Sequence, residues 1–385
     1  MDFKLYTLLY LIIVIEFAIA AKSKKELIFV QAIWRHGDRS PTKLIYKNDI
    51  YTEDKWENGW GQLSDLGKIQ LMNLGAWFKK RYINTFVNET YKYREVYIRS
   101  TNVPRAIESA QSFTFGMYPK TNYTNSQIPT QVVPIHSPGL GDDDPLLKGY
   151  KYKCPCYDKK LKEINKKDYD KFKKKYKDLF PFLKNATNSK DDLTLKSVGD
   201  ICNVEIEIFY NLTQPDWIYR RWKQYKNRTT LDIVCEIKLF YRLADFKNIL
   251  LGKLRGALLL NNWLENIKKI IDKPNENYKK MILYSAHAET LLPLMSVLRV
   301  YPTKFIPYAT ALIMELYKSK NNTYYVKLLY KSNSKPLKVL SIPNCKSPCK
   351  FEKLFKVYFD KDFTSTELLN SKCNLNSCSS ESKAE

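Results

Sequence analysis

The chain has 385 residues, enough for one large or two modest domains, and neither an internal repeat nor a Gly/Ser-rich linker forces a boundary. Its 64 basic residues against 40 acidic ones give a formal charge of +24, which attracts polyanions. The excess is mostly lysine, and in residues 159–180 the lysines interleave with acids and aromatics as on a solvated helix face, so no nucleic-acid partner is expected.

At the N-terminus, Lys4 precedes an apolar run that ends in Ala18-Ile19-Ala20, the small-x-small pattern accepted by signal peptidase. Residues 1–20 are therefore expected to be a cleaved secretory signal. Glu16 inside the run argues against a membrane span, and no later segment is apolar enough for one, so no stable membrane anchor is expected. Loss of this segment, which holds one lysine and two acids, raises the charge to +25. The 8 cysteines form an even set suited to disulfides in an oxidising compartment. Proximity pairs Cys345 with Cys349, a shared helical region pairs Cys202 with Cys235, and Cys154 or Cys156 is expected to reach Cys373 or Cys378. Sequons at Asn88, Asn122, Asn185, Asn211, Asn227 and Asn321 predict surface N-glycans.

Compact apolar runs predict strands at 26–34, 94–100, 130–136, 279–286, 310–317 and 323–330. The first four lack strict polar alternation, as expected of strands covered on both faces in a parallel sheet. Between the first two, Ser64 caps a run with apolar residues at helical spacing. This strand-helix-strand unit predicts an α/β fold with a mainly parallel central sheet flanked by helices. Long Lys/Leu/Ile/Tyr-rich helical patterns at 150–275 predict a helical insertion domain. The catalytic core would then combine residues 21–149 and 276–355, leaving 356–385 as a C-terminal tail. Ligands of such sheets bind beyond the C-terminal ends of the strands.

The first strand runs into "WRHGDRSPT", which places Arg35, His36, Gly37, Asp38 and Arg39 at such an end. Two arginines around one imidazole are costly unless an anion is expected, and guanidinium grips phosphate oxygens in a bidentate geometry that lysine lacks. Arg99 ends the second strand, and His287, one of only 3 histidines, follows the run at 279–286. Together these residues predict one oxyanion pocket. Asp38 is expected to orient the loop through nearby backbone or an arginine.

"RHGDRSPT" resembles the histidine phosphatases of the acid phosphatase branch. The resemblance continues in order through "WENGWGQLSDLG", "VYIRSTNVPRAIESA", "FYNLTQPDW", "LYSAHAETL" and "IPNCKSPCKFEKL". Within that family the chain looks like the secreted animal enzymes, and "FVQAIWRHGDRSP" looks nematode-like. The resemblance implies a phosphoglycerate-mutase-like fold and a secreted or lysosomal acid phosphatase releasing inorganic phosphate from phosphate monoesters. His36 would carry a phosphohistidine, with Arg35, Arg39, Arg99 and His287 holding the phosphoryl oxygens. No metal or other cofactor is implied, and a homodimer is compatible with it.

Such enzymes usually carry His-Asp, the Asp protonating the leaving alcohol, where this chain has His287-Ala288. Glu289, one position later, would be the replacement donor, an arrangement that resembles the multiple inositol polyphosphate phosphatases. Two alternatives follow: a phytase-like inositol polyphosphate phosphatase, or a catalytically weak or silent secreted anion-binding homologue.

Overall fold

The computed structural model describes residues 25–379 apart from 121–129, 140–142, 277 and 334. The expected signal at 1–20 and the sequon at Asn122 lie outside the described residues. A seven-stranded sheet runs in the order β2 (Val96–Ser100), β5 (Met281–Ala286), β1 (Glu26–Arg35), β6 (Ala311–Lys318), β7 (Tyr324–Lys331), β8 (Lys338–Leu340). The short strand β9 (Cys349–Lys350) also pairs with β7, and β3 (Arg221–Trp222) with β4 (Arg228–Thr229) forms a separate hairpin. The α/β class is the expected one. Its parallel pairings join β2, β5 and β1, with Val30 opposite Met281 and Ala32 opposite Leu283, while β6, β7, β8 and β9 add on antiparallel.

Strand β1 shows why its run is apolar on both faces, with Gln31 the one polar interruption. Val30, Ala32 and Trp34 pack into a cluster with Leu71, Phe78 and Phe113, from the helices Asp65–Tyr82 and Pro104–Met117. Phe29 and Ile33 face the opposite cluster, which holds Leu251, Trp263 and Leu291. Successive side chains thus alternate between two buried faces, and both must be apolar.

Two expectations are corrected. Residues 130–136 form no strand; only isolated bridges survive, at Thr130 with Pro119 and at His136 with Arg99. Pro134 interrupts the run and has no N–H to give to a ladder. The helical region 150–275 also does not pack as one unit. Tyr176, Leu183, Ile201, Ile218 and Ile237 form their own cluster, whereas the helix Ile249–Asp272 lies on the sheet and accepts a 2.9 Å hydrogen bond from Gln31 Nε2 at Trp263 O. The tail joins the same sheet cluster through Phe363, Leu369, Cys373 and Cys378. Apolar residues on both the insertion and the sheet-flanking helices gave identical sequence patterns, and only packing separates them.

Disulfides join Cys154 to Cys373, Cys156 to Cys378, Cys202 to Cys235 and Cys345 to Cys349. The first two staple the start of the helix Pro155–Lys175 to the tail. The five sequon asparagines among the described residues, Asn88, Asn185, Asn211, Asn227 and Asn321, are all exposed.

The turn after β1 is held by backbone contact. Ser64 caps the helix Asp65–Tyr82, accepting from Gly67 N–H at 3.0 Å, and its own N–H donates to Asp38 O at 3.0 Å. A Cβ on Gly67 would lie 2.2 Å from Asp38 O, and one on Gly37 would lie 2.4 Å from Gly67 O. Gly67→Ala gains about 1 kcal/mol of helix propensity. Forcing a methyl against backbone costs up to about 3 kcal/mol, so the clash wins. The variant is expected to lose about 2 kcal/mol in urea unfolding; an unchanged or higher stability would show that the loop is not held by this contact.

Candidate active site

Three strand ends meet beneath one cavity. His36 N–H donates to Ala286 O at 3.0 Å, tying β1 to β5, and Thr101 N–H donates to Ser285 O at 3.1 Å, tying β2 to β5. His287 caps the helix Ala288–Val297, and its Nε2 is hydrogen-bonded to Thr101 Oγ1 at 2.9 Å. The His36 and His287 rings lie edge to face with centroids 5.5 Å apart. His36 Nδ1 is 2.8 Å from Gly37 O. A carbonyl only accepts, so Nδ1 carries the proton and Nε2 keeps its lone pair.

The cavity is about 390 Å³, and Arg35, His36, Arg39, Arg105, Glu289 and Tyr308 form its floor and wall. Burial above all, then Arg35, His287, Arg39 and Arg105, hold the His36 imidazole neutral well below the usual histidine range. His287 is pushed down to about 3 by burial and then Arg105, against the pull of Glu289. Both rings are thus biased towards their neutral form.

The arginines are partly fixed and partly unspent. Arg35 Nη1 donates to Ile306 O, and its guanidinium lies 3.9 Å from the Tyr308 ring centroid. Arg39 Nη1 donates to Ser40 O at 2.6 Å. The Nε atoms of Arg35, Arg39 and Arg105 are all buried without a protein acceptor. A buried donor without a partner costs about 1–3 kcal/mol, more when charged. Three of them around one imidazole form a cradle for an oxyanion.

Of the expected site residues, Arg35, His36, Arg39 and Glu289 line the cavity, and His287 packs directly behind His36. Arg99 does not belong to the lining; its Nη2 donates to Asp144 Oδ1 at 2.8 Å, and the pleat of β2 turns it away from the buried row Val96, Ile98 and Ser100. Its place is taken by Arg105, missed in the sequence although it stands six positions later in the same segment. Pro104 at the first helical position put Arg105 in a first turn. A cation there opposes the helix dipole, which was the available signal that an anion is awaited.

Asp38 is corrected as well. Its Oδ2 accepts from Ser64 Oγ at 2.7 Å and Tyr210 Oη at 2.5 Å, so it joins the loop to a helix cap and to the insertion, not to neighbouring backbone or an arginine. Glu289 is not a neutral acid beside Arg242. Burial pushes its carboxyl up, but Arg242, whose Nη1 lies 2.9 Å away, then His287 and its own N–H outweigh that and bring it to about 2. Arg242, on the helix Thr230–Lys247, was not singled out in the sequence because its partner stands 47 residues away.

Removing one oxyanion donor typically costs 10²–10³ in rate. Arg105→Lys should lower kcat/KM on a phosphate monoester by about 100-fold, since the bidentate geometry is lost, and Arg99→Lys by less than about threefold, as for a peripheral ion pair. Equal losses in the two variants would return Arg99 to the site.

The chain matches the Histidine phosphatase superfamily (branch 2) over residues 26–331. It is 30% identical over 338 residues to the prostatic acid phosphatase of Bos taurus, covering 86% of this chain and 84% of that protein. It is 32% identical over 357 residues to the lysosomal acid phosphatase of Xenopus laevis, covering 89% and 78% respectively. The phytase of Klebsiella sp ASR1 shares the fold with a TM-score of 0.65 at 14% identity, over 90% of this chain and 99% of that one. The multiple inositol polyphosphate phosphatase of Bifidobacterium longum superposes with a TM-score of 0.59 at 15% identity, over 89% and 94%. With the sequence match running through the loop that carries His36 and the strand that ends at His287, the chain belongs to branch 2 of the histidine phosphatase superfamily.

Proposed function

We propose that this chain is an acid phosphatase that hydrolyses phosphate monoesters through a phosphohistidine on His36. The observation that carries this reading is a neutral imidazole, its Nδ1 proton held by Gly37 O, facing three arginines with unpartnered Nε donors. In the first step His36 Nε2 bonds to phosphorus, the ester P–O bond breaks and the alcohol leaves with a proton. In the second, water bonds to phosphorus, the N–P bond breaks and inorganic phosphate departs. Arg35, Arg39 and Arg105 hold the equatorial oxygens, and His287, fixed by Thr101, supports them from behind.

The proton for the leaving group has a specific history. Arg242 holds Glu289 ionised, so the productive encounter pairs it with the substrate monoanion. Once bound, the substrate's negative charge raises the proton affinity of the adjacent carboxylate, and the proton passes through Glu289 to the leaving oxygen. Acid activity then follows from the substrate. Phosphate esters lose their second proton near pH ~6, so kcat/KM should be flat below that pH and fall above it. The limb should move with the pKa of the ester, and a limb fixed across esters would assign it to the protein instead.

The signal expected at the N-terminus, the exposed sequons and the disulfides support a secreted or lysosomal glycoprotein. The acid phosphatases among its relatives are named prostatic and lysosomal.

Acid-quench trapping with a small labelled aryl phosphate tests the chemistry. Label on the wild type and none on His36→Ala is expected; no label and no turnover would leave an anion-binding protein. Glu289→Gln should slow alkyl phosphates about 100-fold or more while aryl phosphates, whose leaving groups need little protonation, lose less than about tenfold. Equal slowing of both would remove Glu289 as donor.

A further inference from the structure

The cavity contains more positive charge than one phosphoryl group uses. Six cations line it, Arg35, Arg39, Arg105, Lys238, Arg242 and Lys304, against three carboxyls, Asp38, Glu205 and Glu289. The net excess is three charges, more than the single charge of a bound monoester monoanion neutralises. The first three cations surround His36. Lys238 and Arg242 come from elsewhere, one turn apart on the helix Thr230–Lys247 of the insertion. Like charges at this spacing destabilise a helix.

Lys238 lacks a counterion at hand. Its Nζ donates to the neutral Asn203 Oδ1 at 2.7 Å, and among the described residues no carboxylate lies within 4.0 Å of it. Burial first, then Arg242, push its ammonium down to about 8, against Glu205 and Asp200. Glu205, another carboxyl of the same wall, is itself pushed up by burial, against the pull of Lys238. Arg242 spends one Nη on Glu289 and has further donors on the same fork. A volume of about 390 Å³ is that of a small-molecule pocket, not of a lone phosphate site. Phe209 and Phe305, both exposed, stand in the same wall beside these cations and offer apolar contact to whatever joins the two ends of a ligand.

We propose that Lys238 and Arg242 form a second anion subsite in the same cavity, which selects phosphate monoesters carrying a second anionic group. This rests on the reading of His36 as the centre that receives the scissile phosphate. A second anion beside Lys238 relieves the burial of that ammonium. By drawing Arg242 it also weakens the hold of that residue on Glu289, so the second group raises the proton affinity of the donor.

Binding separates this proposal from catalysis. On the His36→Ala protein, titration calorimetry compares alkanediol bisphosphates of two to six carbons with the corresponding hydroxyalkyl monophosphates. At the spacing that fits, the bisphosphate should bind at least about tenfold more tightly, beyond the factor of two that two equivalent ends supply, which is about 1.4 kcal/mol. Adding Lys238→Gln should reduce the preference to threefold or less, Lys238→Arg should keep it, and Lys171→Gln, the same charge loss on the exposed face of Pro155–Lys175, should also keep it. No preference at any spacing, or one that survives Lys238→Gln, overturns the subsite. If Lys238→Gln does not fold, the spacing dependence and its retention in Lys238→Arg still decide. Failure of the phosphatase reading shows separately, as absence of the trapped phosphoenzyme in wild type.

Discussion

Everything at this site follows from the decision to gather guanidinium groups around a buried imidazole. Two unit charges of like sign 4 Å apart at a protein surface repel by about 4 kcal/mol, and partial burial adds desolvation. Such a cluster persists only because the scaffold is rigid and because its ligand returns the energy. The scaffold supplies rigidity where three strands end together and where the turn after β1 is wedged by Gly37 against Gly67. The imidazole adapts to the field in the only way open to it, by remaining neutral. A neutral ring is also the nucleophilic one, so the arginines that stabilise the incoming phosphoryl group keep its acceptor ready.

The insertion is part of this arrangement, not an ornament on it. Tyr210 reaches Asp38, and the helix Thr230–Lys247 sends Arg242 to Glu289, so the roof is linked to the floor on both sides of His36. The Cys202–Cys235 disulfide closes the insertion on itself close to the same cavity wall. Fixing the roof matters because an ion pair spanning two units is effective only if neither side drifts. The consequence is a cavity carboxyl, Glu289, whose charge is set by a cation from the insertion.

Glu289, one position after the expected aspartate, lies in the first turn of the helix Ala288–Val297 and lines the cavity, as its proposed role requires. The helix start favours its ionised form, as do Arg242 and His287. A donor with such a low proton affinity suits a monoanionic substrate that brings its own proton. It would suit a dianion poorly.

The sequence by itself determined the class of fold, because runs without strict polar alternation such as 26–34 mark strands covered on both faces, and Ser64 with apolar residues at helical spacing marked the helix that follows it. It also determined the loop bearing Arg35, His36 and Arg39, whose function depends on adjacent positions. The cysteines paired as proximity and region implied. Tertiary structure decided the rest. Arg99 and Arg105 are both arginines near the end of β2, but the pleat commits one to Asp144 and the following helix aims the other at His36. The helix Ile249–Asp272 read like its neighbours, and only the faces it meets assigned it to the sheet. Arg242 and Glu289 are partners through space, 47 residues apart. Local patterns fix which elements form; where a side chain points, and what charge it meets there, is set by elements that sequence order keeps apart.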